Sequence, residues 1–213
     1  ERIIIERDIA LLEKTKCRYH ISQLSAGKSV DIIKERKQNV KFTCGVSINN
    51  LSLNENDIGD FRTFLKLSPP LRTEEDRLSL VKAINNDLIN VIVSDHKPED
   101  EESKRLTFYQ SATGASGIET LLPLALELFH NESIKLSKII ASLTCNPAKI
   151  LKIDKGNLNT GNDADFCIVD LYKPWVLKKD NLHSKSKNTS IEAKKLQGLI
   201  TNTFVKGEEL FKI

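Results

Sequence analysis

The residues best suited to chemistry stand at the ends of four stretches that have the pattern of β-strands. These ends are His20-Ile21-Ser22-Gln23, Ser47-Ile48-Asn49-Asn50, Ser68-Pro69-Pro70-Leu71-Arg72 and Ser94-Asp95-His96. In a barrel of alternating strands and helices, reactive groups lie at the carboxyl ends of the strands. The four ends hold two histidines and one carboxylate, whereas a two-zinc hydrolytic centre needs several His and carboxylate ligands and a base for its bridging water. We therefore expect a polar rim whose residues do not complete a metal site by themselves.

Strand and helix patterns alternate from the start of the chain to about residue 150, which predicts parallel α/β structure. The expected strands cover 18–24, 40–48, 64–67 and 89–93. The expected helices cover the residues up to 14, then 29–38, a segment that begins after Thr73, 118–129 and 134–143. The helix after Thr73 starts with a capping-box pattern, and its apolar positions Leu78, Leu80, Val81 and Ile84 are expected to face inward.

The pattern changes after Leu151, where short segments are punctuated by glycines. Residues 166–169 and 199–205 have the pattern of strands in a small sheet, and the polar stretch 178–195 is expected to be a loop between them. The chain is therefore expected to divide into a larger α/β part, 1–150, and a smaller β part, 151–213.

Composition excludes several classes of function. The 32 basic and 29 acidic residues nearly balance, which argues against nucleic acid as the main partner. No apolar run approaches the ~18 residues of a membrane span, so no membrane association is expected. Four cysteines are far apart and form no Cys-x-x-Cys pair. Buried free thiols in a reducing cytoplasm are the expectation from that spacing.

Several segments, taken in order, resemble the motifs of class I dihydroorotases, which belong to the wider amidohydrolase superfamily. The segment 18–25 is similar to His-Ile-x-His-Val-Ser, 43–51 to Thr-Cys-Glu-Val-Thr-Pro-His-His-Leu, 66–72 to Lys-Val-Asn-Pro-Pro-Leu-Arg, 94–99 to Thr-Asp-His-Ala-Pro-His and 117–123 to Gly-Leu-Glu-Thr-x-Leu-Pro. Arg7-Asp8-Ile9, Asn146-Pro147-Ala148-Lys149-Ile150, Gly161-Asn162-Asp163-Ala164-Asp165 and Asn188-Thr189-Ser190 complete the series. Allantoinases and hydantoinases share some of these motifs, but the segment 117–123 favours dihydroorotase.

The departures from these motifs fall at the positions that the resemblance assigns to chemistry. Gln23 and Asn50 stand where the family has metal-binding histidines, and Ser68 and Glu99 stand where it has an Asn and a His that contact substrate. Neutral amides bind zinc far more weakly than imidazole. Asp95 matches the family's metal ligand and proton acceptor. The resemblance thus implies one candidate catalytic and metal-binding residue, Asp95, in a degenerate site.

The remaining candidates have structural explanations beside the functional ones. The resemblance assigns substrate contact to the positions of Ser68, Glu99 and Gly114, although a glycine there also suits a tight turn. The structural alternative for Asp95, a bond to backbone amides at a rim turn, is favoured over the metal ligand. His20 is expected to be a packed strand residue and His96 to orient a loop. His130 and His183 lie outside every motif and are expected at the surface.

The expected fold is the C-terminal half of a (β/α)8 barrel of the amidohydrolase type, followed by part of a small β-sandwich. A whole barrel takes about 250 residues, so 150 residues do not close one. The family's first metal ligands would precede residue 1, which implies that the chain begins inside a longer gene product.

Two functions stay open from the sequence. In one, the protein is a dihydroorotase-like pseudoenzyme of pyrimidine biosynthesis that binds no cofactor and serves as a structural partner of aspartate carbamoyltransferase or forms a homo-oligomer. In the other, it is an active zinc-dependent hydrolase that interconverts carbamoyl-aspartate and dihydroorotate. Both are expected in the cytoplasm.

Overall fold

The computed structural model describes all residues, 1–213. The α-helices are α1 (Arg2–Thr15), α2 (Gly27–Arg36), α3 (Ile48–Ser52), α4 (Glu74–Asn85), α5 (Glu101–Lys104), α6 (Leu121–His130), α7 (Leu136–Leu143) and α8 (Cys145–Leu151). The strands are β1 (His20–Leu24), β2 (Thr43–Ser47), β3 (Val91–Val93), β4 (Phe166–Val176), β5 (Lys195–Val205) and β6 (Glu208–Lys212). None of the helices is both long and apolar enough to span a membrane.

The first sheet is parallel and has the order β1-β2-β3. His20 pairs with Thr43, and Val46 pairs with Ile92. Helix α2 connects β1 to β2 and α4 connects β2 to β3, which is the βαβ arrangement that alternating patterns predict. The parallel α/β prediction is therefore confirmed, and the carboxyl ends of all three strands meet at one edge.

The core centres on β2 and the helices that cover it. Cys44, Val46 and Ile48 have no exposed surface, and neither do Leu80 of α4 and Leu124 of α6. Burying each large aliphatic side chain contributes about 1.5–3 kcal/mol before entropy is counted. The residues of β2 from Cys44 to Ser47 are all buried, and this packing positions the polar segment that follows the strand.

The second sheet is antiparallel, has the order β4-β5-β6 and lies against α6. At Gly198 a side chain would collide with Leu126, and His130 Nε2 lies 2.9 Å from the Leu171 carbonyl oxygen. Strands β4, β5 and β6 form one sheet. The β-sandwich and the domain boundary near residue 150 stay predictions.

Some expected elements are wrong. Residues 64–67 do not form a strand, because the chain makes a 3-10 turn at Thr63–Leu65 and two prolines follow. Leu78 is exposed rather than buried, since about 100° per residue places it about 200° from Leu80 around the helix. The helix expected from residue 118 begins only at Leu121, and Ile118, which precedes it, is exposed.

The cysteines depart in part from expectation. None is paired, and Cys44 is buried, but Cys17 and Cys167 are exposed. Burial raises the pKa of the Cys44 thiol to about 11, so this thiol stays protonated and acts as a small apolar group.

Candidate functional site

Two of the candidate residues meet at the polar edge of the parallel sheet. Gln23 comes from β1, and its Nε2 donates a hydrogen bond of 2.8 Å to Oδ1 of Asp95, which follows β3. Asp95 is 8% exposed and has a φ of 49°, a conformation that non-glycine residues rarely adopt. Lys97 Nζ lies 3.3 Å from the same Oδ1. Oδ1 of Asp95 therefore contacts both an amide donor and an ammonium group.

Asn50 lies on α3, which begins directly after β2 and is capped by the Ser47 hydroxyl. The Asn50 side chain is buried, and its Nδ2 donates 3.0 Å to the Pro70 carbonyl. Its Oδ1 is buried without a hydrogen-bond partner. An unsatisfied buried acceptor costs about 1–3 kcal/mol, so this position marks a local defect in the rim.

The three candidate substrate positions are held by backbone contacts. The Ser68 carbonyl accepts a hydrogen bond of 2.8 Å from Lys97 Nζ. The Glu99 N–H donates 3.4 Å to Asn188 Oδ1, and the Gly114 carbonyl accepts 3.4 Å from Asn188 Nδ2. One buried amide side chain thus joins the Glu99 and Gly114 loops.

Residues 183–190, part of the polar loop expected between β4 and β5, also belong to this rim. We call this segment the strap. Ser190 Oγ donates 2.8 Å to Asn49 Oδ1, and Ser186 Oγ donates 2.6 Å to the Glu99 carbonyl. Asn188, Thr189 and Ser190 are all buried. The signal in the sequence was the resemblance of Asn188-Thr189-Ser190 to a family motif, because neither polarity nor length distinguishes such a strap from solvent-exposed loop.

Glu119 anchors the start of the strap. Its carboxylate accepts from the backbone N–H of His183 at 2.9 Å and of Ser184 at 3.1 Å, and His183 Nδ1 lies 2.9 Å from Oε2. Burial raises the pKa of Glu119, but the hydrogen bonds from His183 and Ser184 together lower it by more. The net pKa therefore lies below its ordinary value of 4.5. His183 is exposed as expected, yet it takes part in this contact.

The other histidines are structural. His20 Nδ1 lies 2.7 Å from Thr43 Oγ1 on the neighbouring strand, and burial lowers its pKa. His96 Nδ1 accepts the Gly117 N–H at 3.1 Å, which confirms the prediction that His96 orients a loop. His130 is half-buried rather than fully at the surface.

The residues of this chain do not by themselves make up a dinuclear zinc centre. No three His, Cys, Asp or Glu side chains are grouped closely enough to hold a metal ion. At Asp95 the neighbours are a neutral amide and a positively charged ammonium group. Zinc prefers imidazole, thiolate and carboxylate ligands, and Gln23 and Asn50 offer only neutral amides.

An open cleft of 670 Å³ lies between the Glu99 loop and the strap. Its lining carries both charges, with the acidic residues Glu99, Asp100, Glu101 and Asp180 and the basic residues Lys179, Lys185 and Lys187. The cleft adjoins a candidate substrate position, and its chemistry suits no single class of charged ligand.

Comparison with known proteins places these features in a family. The sequence model of the amidohydrolase family matches residues 4–210. The chain belongs to the amidohydrolase family. The dihydroorotase of Ehrlichia canis (strain Jake) is 41% identical over 213 residues, which are 99% of this chain and 48% of that protein. This member of the family thus spans about half the length of the curated relatives that it matches.

Solved structures agree on the fold of this amidohydrolase chain. The L-hydantoinase (dihydropyrimidinase) from Arthrobacter aurescens superposes with a TM-score of 0.92 at 26% identity, over 98% of this chain and 48% of that one. An inactive dihydroorotase-like domain of a Chaetomium thermophilum CAD-like multifunctional protein superposes with a TM-score of 0.73 at 18% identity, over 98% of this chain and 55% of that one. The second likeness concerns the fold alone.

Proposed function

We propose that this protein is a dihydroorotase-like component of pyrimidine biosynthesis in the cytoplasm that has lost hydrolytic activity and acts as a structural partner of aspartate carbamoyltransferase. The observation that carries the loss of activity is the contact between Gln23 Nε2 and Asp95 Oδ1 at 2.8 Å. A metal ligand and general base needs its carboxylate oxygen free for the metal or the proton. Here Oδ1 accepts from the Gln23 amide and lies beside the Lys97 ammonium, and these competing contacts support the proposed loss of activity.

The distribution of departures supports a retained scaffold. The core residues of β2, such as Cys44 and Val46, are fully buried, and the glycines at 114 and 117 meet close backbone contacts. The departures at Gln23, Asn50 and Ser68 all lie at the rim. Drift without any function would erode core and rim alike, so erosion confined to the rim favours a folded surface that is still in use.

The partner follows from the resemblance to dihydroorotases, some of which pair as inactive homologues with aspartate carbamoyltransferase. A partner surface needs no zinc, only a stable scaffold with roughly 1,200–2,000 Å² of total burial for a standard complex. Exposed apolar side chains at Phe61 and Tyr109, 71% and 93% exposed, offer one area that a partner could cover.

The test uses the full-length protein from its native host. Co-purification followed by sizing and mass spectrometry should recover aspartate carbamoyltransferase, and the purified protein should not turn over dihydroorotate or carbamoyl-aspartate. The Ehrlichia canis dihydroorotase serves as the positive control for turnover under the same conditions. A monomer that never associates with aspartate carbamoyltransferase and hydrolyses dihydroorotate contradicts both parts of the proposal.

A further inference from the structure

The backbone at Lys97 is held in one position by its neighbours. The Lys97 N–H donates 2.9 Å to the Ala115 carbonyl, next to a parallel bridge between His96 and Ala115. A Cβ at Gly114 would lie 2.6 Å from the Lys97 carbonyl oxygen and 2.8 Å from the Lys97 Cβ. A side chain at position 114 would displace Lys97. Because Gly114 has none, the Lys97 backbone packs directly against it.

The side chain of Lys97 then reaches back to Asp95. Its Nζ lies 3.3 Å from Asp95 Oδ1 and 2.8 Å from the Ser68 carbonyl oxygen. The Asp95 side chain is only 3% exposed, whereas that of Lys97 is 46% exposed. A buried carboxylate is costly unless a cation or several donors compensate its charge. Lys97 is the only side chain that forms a salt bridge with Asp95, and Gln23 supplies the one side-chain hydrogen bond.

The sequence places these compensating groups together. In the motif that the segment 94–99 resembles, position 97 is alanine, and in the motif that 18–25 resembles, position 23 is histidine. This chain has Lys97 and Gln23 instead. Both departures place a polar group beside the same Asp95 oxygen, the Gln23 amide as a hydrogen-bond donor and the Lys97 ammonium as a cation. A site that had only lost its metal would have neither the Gln23 amide nor the Lys97 ammonium beside the carboxylate.

We infer that the Lys97 ammonium is a built-in cation that takes the electrostatic role of a metal ion at Asp95. Together with the Gln23 amide it holds the rim between Asp95 and Ser68 in place without any metal. The inference rests on these contacts and on the proposed loss of hydrolytic activity, and it does not depend on the proposed partner.

The experiment measures thermal unfolding of the full-length protein with added EDTA and with added ZnCl2. Wild type should unfold at the same temperature in both. Lys97→Ala should lower the midpoint by about 2–4 °C, because the buried Asp95 carboxylate then lacks its cation. Lys97→Arg, which keeps the charge, should stay close to wild type. In Asp95→Asn/Lys97→Ala the loss should be smaller than in Lys97→Ala, and zinc should have no effect.

The matched control is Lys82→Ala, which removes an exposed lysine of α4 that makes no salt bridge. The inference is overturned if Lys97→Ala unfolds at the same temperature as this control, or if EDTA lowers the midpoint of wild type. If Lys97→Ala does not fold, a folded Lys97→Arg supports the inference, and failure of both variants overturns it. None of these outcomes bears on partner association, so this inference and the proposed function fail separately.

Discussion

Gln23 and Asp95 are hydrogen bonded at 2.8 Å although their strands, β1 and β3, do not pair with each other. Strand β2 lies between them in the sheet, so the contact crosses the rim at the point where Asn50 follows β2. The three positions that the resemblance to dihydroorotases assigns to metal ligands, Gln23, Asn50 and Asp95, thus lie at one edge of the sheet. The contact makes the rim a connected polar network rather than an open set of ligands.

Restoring both histidines should increase zinc binding. Gln23→His removes the amide that occupies Asp95 Oδ1, and Asn50→His replaces a side chain whose Oδ1 has no partner. Imidazole binds zinc far better than an amide. We expect the double variant of the full-length protein to take up more zinc than wild type, by elemental analysis after gel filtration. Gln110→His/Asn39→His, at two exposed amides, is the control, and equal metal content in both variants would contradict the alignment of these positions.

Asp95→Asn should change stability only modestly. The Asn oxygen can still accept from Gln23, and the half-exposed Lys97 can be solvated. We expect a change in the free energy of unfolding of about 0.5 kcal/mol or somewhat more, measured by urea titration, with partner binding intact. If wild type measurably turns over dihydroorotate and Asp95→Asn abolishes that activity, Asp95 is a general base and the inactive assignment is wrong.

Gly117→Ala should destabilise the rim. A Cβ at Gly117 would collide with the carbonyl oxygen of Ser94, the residue just before Asp95. Overpacking of this kind costs about 1–3 kcal/mol, and the loss should appear as a lower urea midpoint. The control is Gly59→Ala, where φ is 54° but no atom lies within 4 Å. That variant suffers backbone strain alone, and an unchanged urea midpoint for Gly117→Ala would rule out the steric explanation.

Glu119→Gln should loosen the strap. The carboxylate accepts from the backbone of His183 and Ser184, and a neutral amide accepts more weakly. Trypsin should cleave after Lys185 and Lys187 about tenfold faster, which corresponds to about 1.4 kcal/mol. Glu35→Gln, at an exposed residue without side-chain contacts, should cleave like wild type.

The same contact predicts a pH dependence for the strap. The folded pKa of Glu119 lies below 4.5, so its stabilising contribution is fully present above pH 4.5 and is lost as the pH falls through the folded pKa. Hydrogen exchange of the Ser184 amide should therefore lose protection in acid. Unchanged protection there would show that the carboxylate does not hold the strap.

The contribution of Lys104 to the free energy of unfolding should increase as the pH rises. It is 1% exposed, its Nζ donates to the Thr63 and Ala112 carbonyls, and burial lowers its pKa from 10.5 to about 8. Between these two pH values the unfolded chain binds more protons, so the contribution of Lys104 to the free energy of unfolding rises with pH. We expect the free energy of unfolding of wild type, measured by urea titration and compared with that of Lys104→Met, to be larger near pH 10.5 than just below pH 8. A constant difference across that range would contradict the lowered pKa, and Lys82→Met is the control for loss of a surface charge.

Much of the α/β part could be predicted from local patterns. Apolar runs such as 89–93 predict buried parallel strands, and the Thr73 hydroxyl does cap α4 by accepting the Asp76 N–H. These features depend on residues close in sequence, so their signal survives in a single chain. The strand expected at 64–67 failed because β-propensity does not reveal whether a backbone finds a partner, and here it turns before Pro69.

The sequence by itself determined which residue types stand at the strand ends, and therefore that Gln23 and Asn50 offer amides where imidazoles would bind zinc. Only the tertiary structure decided what those groups do. The bond from Gln23 to Asp95 spans 72 positions, and the strap reaches Asn49 from 141 positions away. Such contacts depend on how helices and strands pack, because packing sets which loops meet at the rim. A pattern of neighbouring residues carries no record of those distances.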